Sequence, residues 1–130
     1  MVIRYCRAPD VEASIAEIVG CIGLVHVDLS RVVALRSHGS KAAGTIARIH
    51  GLPRIWQISL GIKPNYVIEL ISERFDRLSQ EEREKVLIHE LLHIPKGFGG
   101  GFRQHRNWVE NERVQHLYRV FKKRQLLLQR

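Results

Sequence analysis

Cysteine is scarce in this sequence, and long apolar runs are missing altogether. Cys6 and Cys21 are the only two cysteines, too few for a disulfide framework or a four-thiolate zinc site, and their separation does not fit a CxxC pair. They read as two small buried hydrophobes. No window approaches about eighteen consecutive apolar residues, so no membrane-spanning helix and no membrane partner are expected. The opening residues, MVIRYCRAPDVEA, show no basic flank followed by an apolar run. No secretion signal is therefore visible, and a cytoplasmic location is expected. Repeats, low-complexity tracts and linkers are also absent, so the 130 residues fit a single domain, 1–130, around one core. A 45% hydrophobic and 26% charged composition argues against general disorder.

What is present is a lopsided charge. The formal net charge is +8, and most of it lies at one end. From Arg103 onward there are eight Lys or Arg against two Asp or Glu, while the rest carries thirteen against eleven. A basic end on a near-neutral body suits an anionic partner such as nucleic acid. A solvated helix face accounts for it equally well. Nothing in the sequence sets the oligomeric state.

The hydrophobic pattern changes period along the chain. After Asp10, a suitable N-cap, Ile15, Ile18, Val19 and Ile22 form the stripe of an amphipathic helix, weakened near its end by Gly20 and Gly23. RVVALRS, TIARIHG, RIWQISLG and NYVIELI read as strands, HGSKAAG as a turn-like loop, and Pro53 and Pro64 argue against helix between them. Ser79 and Glu82 then make a capping box for a helix through EEREKVLIHELLHI that stops at Pro95. NWVENERVQHLYRVFKKRQLLLQR is a final helix, with Val114, Leu117, Tyr118 and Phe121 at core spacing. The expected class is α+β: an N-terminal helix, a small mostly antiparallel sheet, a helix bearing HExxH, a glycine-rich loop and a C-terminal helix.

The chemistry gathers at the end of the penultimate helix. His89 and His93 are four apart, so their imidazoles leave one face about a turn apart, with Glu90 roughly a quarter turn beside them. In this HExxH pattern two neutral ring nitrogens bind Zn²⁺ and the glutamate takes a proton from water on the metal. The metal lowers the pKa of that water far below its bulk value, to about 7, on the order of 12 kcal/mol toward hydroxide. The pattern alone also arises by chance. Its neighbours Val86, Leu87, Ile88, Leu91, Leu92 and Ile94 are apolar, however, and burying two imidazoles and a carboxylate among them is costly unless they are paired or coordinate something.

A catalytic zinc normally takes three protein ligands. His105 is the favoured third, following a loop with Gly97, Gly99, Gly100 and Gly101 that lets the chain fold back. Glu112 and His116 on the last helix are the rivals. His26, His38 and His50 read as ordinary residues. Arg103, Tyr66 and His116 are candidates for stabilising an oxyanion. The loop's GFGGG is a poor phosphate cradle, because no GK[ST] follows.

The segment YVIELISERFDRLSQEEREKVLIHELLHIPKGFGGGFRQH closely resembles the phage metallopeptidase family of zincin-like proteins. The similarity extends back through RSHGSKAAGTIARIHGLPRIWQ, and more distantly reaches the SprT-like metallopeptidases. In those a third histidine lies in a loop, followed three residues later by an aromatic; here His105 and Trp108 in HRNW match. The resemblance implies a minimal zincin-like metallopeptidase domain in which His89, His93 and His105 hold zinc and Glu90 is the general base, with peptides or proteins as substrates. The sequence departs from related groups as well. Its only methionine is Met1, so the metzincin Met-turn is absent, as is the HExxHxxGxxH spacing, and no zinc-ribbon tail follows. The expected function is zinc-dependent peptide hydrolysis. The alternative is a zinc-containing protein whose basic C-terminal helix, with Lys122, Lys123 and Arg124, contacts nucleic acid and cleaves weakly or not at all.

Overall fold

The protein, seen in a computed structural model, is described over residues 2–41, 44–102 and 111–129. The described elements are β1 (Arg4–Arg7), α1 (Pro9–Ile22), β2 (Val32–His38), β3 (Ala47–Gly51), α2 (Arg54–Leu60), β4 (Tyr66–Ile71), α3 (Ser72–Phe75), α4 (Gln80–Leu92) and α5 (Asn111–Leu128). This is an α+β fold. Its sheet has the order β1-β2-β4-β3, and two of its three pairings are antiparallel, β2 with β4 being parallel. The parallel pair needs a connection that leaves the sheet plane. Here β3 and α2 fill that connection, so β4 returns between β2 and β3 and leaves β3 at one edge.

Strand alternation sorts the side chains. Tyr66, Ile68 and Leu70 of β4 are buried completely, with Val32 and Ala34 beside them in register. Against this face α1 packs Val11, Ile15, Ile18 and Val19, and α4 packs Leu87, Ile88 and Leu91. α5 crosses both helices and buries Val114 and Phe121, with Leu117 and Tyr118 packed at the margin. Full burial of each such side chain contributes about 1.5–3 kcal/mol. The opposite face carries charge. The Glu69 carboxylate lies 2.9 Å from His50 Nε2 and 3.1 Å from Arg48 Nε. Burial alone would raise that carboxyl, but the polar neighbours Ser37, His50 and Arg48 outweigh it and hold it below its ordinary value.

Several local expectations change. α1 begins at Pro9, whose missing N–H costs nothing in a first turn, with Ala8 rather than Asp10 as the N-cap. Asp10 instead takes both terminal nitrogens of Arg36 at 2.7 and 2.9 Å, while Arg36 Nε reaches Asp76 at 3.1 Å. Gly23, at φ +84°, closes α1 in the left-handed conformation. RIWQISLG is not a strand but the helix α2, started by Pro53 and closed by left-handed Gly61. A proline that breaks a helix interior is tolerated at its start, which is how Pro53 fits. β1 adds a fourth strand that residue patterning did not indicate. Cys6 is exposed rather than buried, Cys21 is buried, and both thiols are free. Among the described residues no helix is long and apolar enough to cross a membrane.

Candidate metal centre

α4 is fixed at its start by its own sequence. The Ser79 hydroxyl accepts from the Glu82 backbone N–H at 3.2 Å while the Glu82 carboxylate accepts from the Ser79 N–H at 3.3 Å. These bonds satisfy two of the donors a helix start leaves open. About two to three turns on, the buried stripe Leu87, Ile88 and Leu91 presses α4 onto the sheet. That packing orients the last turn, where His89 and Glu90 sit, with His93 as the C-cap donating its N–H to the carbonyls of Glu90 and Leu91.

The four-residue spacing brings the two imidazoles together. The His89 and His93 ring centroids are 5.2 Å apart with planes at 75°. Glu90 is only 6% exposed and His93 8%. Burial pushes the Glu90 carboxyl up to about 7, because its charged form loses water. Two grooves meet at this point along β3. One, of about 440 Å³, is lined by Ala47, Ile49, His89, Glu90, His93 and Phe102. The other, of about 390 Å³, continues past Thr45, Ile46, Val86, Val114 and Gln115. His89 and Glu90 therefore sit midway along a cleft whose wall is the edge strand.

The glycine-rich loop is clasped from two sides. The Tyr66 hydroxyl, whose ring is fully buried, accepts from the Gly100 N–H at 2.9 Å and donates to the Gly101 carbonyl at 2.8 Å. From the other side Gln57 Nε2 donates to the carbonyls of Leu52 and Gly99 at 2.8 and 3.2 Å. Phe98 and Phe102 pack edge-on to the Tyr66 ring, at 5.0 and 5.9 Å. Of the four loop glycines, only Gly100 has a positive φ, +97°. A Cβ there would come within 2.7 Å of Gln57 Nε2 and 2.8 Å of the Leu52 carbonyl, whereas at Gly97, Gly99 or Gly101 it would meet nothing within 4 Å. Gly51 completes the seam, since a Cβ on it would collide with the Gly100 carbonyl oxygen. Left-handed backbone in the loop thus falls on Gly100 and on Phe98, at φ +47°, and close backbone approach explains Gly51.

Sequence reasoning missed Gln57 and Gly51, because their roles depend on a contact between segments more than forty residues apart. Tyr66, a candidate for the oxyanion, has its hydroxyl committed to the loop. His105, Arg103 and Trp108 lie outside the described residues. Glu112 and His116 are exposed on α5, and the groove beside Glu90 is lined by Asn111, Val114 and Gln115 of that helix instead. Among the described residues, no group of three or more His, Cys, Asp or Glu is placed to hold a metal ion. His50 pairs with Glu69, and His38 lies 3.4 Å from Ser72 Oγ and 3.7 Å from Cys6 Sγ. Two neighbouring imidazoles that open on a cleft beside a buried carboxylate are side chains of the kind that ligate a divalent metal ion.

A family model described as Putative phage metallopeptidase matches residues 3–122. No curated protein and no solved structure matches the chain.

Proposed function

This chain belongs to that phage metallopeptidase family, and we propose that it is a zinc-dependent peptidase of one domain. In this reading His89, His93 and His105 hold the metal and Glu90 is the general base. The observation that carries it is the buried Glu90 carboxyl, flanked by the paired imidazoles and open to a cleft along an edge strand. Bound there, zinc would act as a Lewis acid on the scissile carbonyl and make attached water acidic.

The chain's own groups do the rest. β3 offers the unpaired side of its backbone, Ala47 to Gly51, to an extended peptide that adds as a further strand. Held by backbone hydrogen bonds, the peptide places a carbonyl beside the His89–Glu90 turn. The Glu90 carboxylate takes the proton of the attacking water on one Oε and delivers it to the departing amine nitrogen. The low polarity around Glu90, which raises its proton affinity, suits both halves of that transfer. Leu87, Ile88 and Leu91, buried in the core behind this turn, fix its place beside the grooves.

The nucleic-acid reading draws less support from the described residues. Lys122 Nζ pairs with buried Glu84 at 3.2 Å, and Arg124 Nη1 donates to the Cys21 and Ile22 carbonyls at the end of α1. Both cations thereby serve the fold, Arg124 at the negative end of a helix dipole.

Glu90→Gln tests the proposal. It preserves the volume and the two imidazoles but cannot accept the proton. The variant is expected to retain zinc and folding while cleavage of an unfolded protein substrate falls about 10²–10⁴-fold. A zinc-loaded Glu90→Gln protein that cleaves at the wild-type rate would refute the role given to Glu90.

A further inference from the structure

α2 is built inside out. Of its seven residues only Gln57 is turned toward the body. Ile55, Trp56, Ile58 and Leu60 are 70, 56, 68 and 57% exposed, and Ile62 just beyond is 43% exposed. At about 100° per residue Ile55 lies opposite Gln57, Trp56 and Ile58 flank it on either side and Leu60 falls nearer Gln57, so apolar side chains cover most of the surface that α2 shows to water. The helix is held to the molecule by the polar Gln57 amide, through the Leu52 and Gly99 carbonyls. Its apolar residues therefore do little for folding. A contiguous exposed apolar surface of this kind marks an interaction site.

The surrounding charge says what kind. From Leu29 to Ile68 there is no acidic residue, while Arg31, Arg36, Lys41, Arg48, Arg54 and Lys63 are basic. Arg31, Arg36 and Arg48 are neutralised by Asp28, Asp10 and Asp76, and Glu69. Arg54 and Lys63 stand exposed at the two ends of α2. The partner is thus apolar beneath an anionic surface. A second copy would set the same basic ends against one another. The shallow hollow on this surface, about 360 Å³ between Ile55, Trp56, Ser59 and Leu60, is lined by α2 alone, so no second element supplies the opposite wall that a bound peptide needs. A bilayer meets both requirements: Ile and Leu enter the acyl boundary, the Trp56 ring sits at headgroup level, and the flanking cations face anionic lipid.

We propose that α2 is an interfacial anchor that lies flat on an anionic lipid bilayer. Among the described residues no helix is long and apolar enough to cross a membrane, but a helix lying on the surface needs no such length, and the proposal departs in this from the expectation of no membrane partner. Reading RIWQISLG as a strand also concealed the surface, because a strand would send Ile55 and Gln57 to the same face. α2 follows β3 through Leu52 and Pro53, so docking would hold the cleft beside the membrane.

The test is co-sedimentation of the full chain with vesicles of phosphatidylcholine, with and without one-third phosphatidylglycerol. Two variants accompany it: one carrying Ile55→Ser, Trp56→Ser, Ile58→Ser and Leu60→Ser, the other Arg54→Gln and Lys63→Gln. Binding is expected on the anionic vesicles. It should fall about tenfold or more in the apolar variant and about fivefold per neutralised cation in the other, with thermal unfolding unchanged in both. The proposal is overturned by failure to bind anionic vesicles, or by binding that survives the apolar substitutions and so belongs to another surface such as basic α5. It is equally overturned if α2 instead drives self-association in analytical ultracentrifugation, or captures an acidic amphipathic peptide without binding lipid.

Discussion

Helices α4 and α2 are both rich in isoleucine and leucine, yet they use them in opposite directions. α4 turns Leu87, Ile88 and Leu91 inward and buries Glu90 among them. α2 turns Ile55, Ile58 and Leu60 outward and holds on through one amide. Apolar content states how much surface wants to leave water. Which surface leaves depends on what the rest of the chain presents, and α4 has a whole sheet face to press on. α2 hangs from the end of an edge strand.

The largest effect that separates the two helices is thermodynamic. Leu91→Ala, inside α4, should lower unfolding free energy by about 2–5 kcal/mol, read from denaturant midpoints at constant slope. A loss under about 1 kcal/mol would mean that α4 is not the packed element described above.

The seam that joins the helices comes next. Gly100→Ala must adopt a left-handed φ and press on Gln57 and Leu52, so a loss of about 1–3 kcal/mol is expected. Gly99→Ala, where a Cβ meets nothing within 4 Å, should change stability by no more than about 0.5 kcal/mol. Equal losses in the two variants would remove the clasp from the account.

The charged face of the sheet gives a smaller, pH-dependent effect. The folded-state pKa of Glu69 lies below its ordinary 4.5. Its contribution is therefore complete above about that pH and is lost as pH falls through the depressed value. Wild type should lose stability across this acidic window by more than Glu69→Gln does, in thermal scans at matched pH. Parallel curves would refute the ion cluster. The smallest effect closes the comparison: Ile58→Ala on α2 should shift unfolding by about 0.5 kcal/mol or less, despite removing the same kind of side chain that matters in α4.

Legibility followed the same division. The capping box at Ser79 and Glu82, the α4 stripe, β4 and the spacing of His89 and His93 were readable, because each is a local pattern with a local cause. α2 is not legible in this way, since IWQISL alternates like a strand and a proline that breaks a helix interior also starts one. β1 depends on pairing with β2, thirty residues away, and local patterning cannot supply that. The Tyr66 hydroxyl was legible as a polar group near the site, but its partners, the Gly100 N–H and Gly101 carbonyl, become known only once the loop is folded. The proposed third ligand, His105, falls outside the described residues.

Metal content decides the central claim. Elemental analysis of the gently purified full chain, beside His89→Ala and His93→Ala, should find one zinc per wild-type molecule and a near-complete loss in each variant that remains folded. A wild-type protein that takes up no divalent ion, or variants that keep it undiminished, would contradict the account.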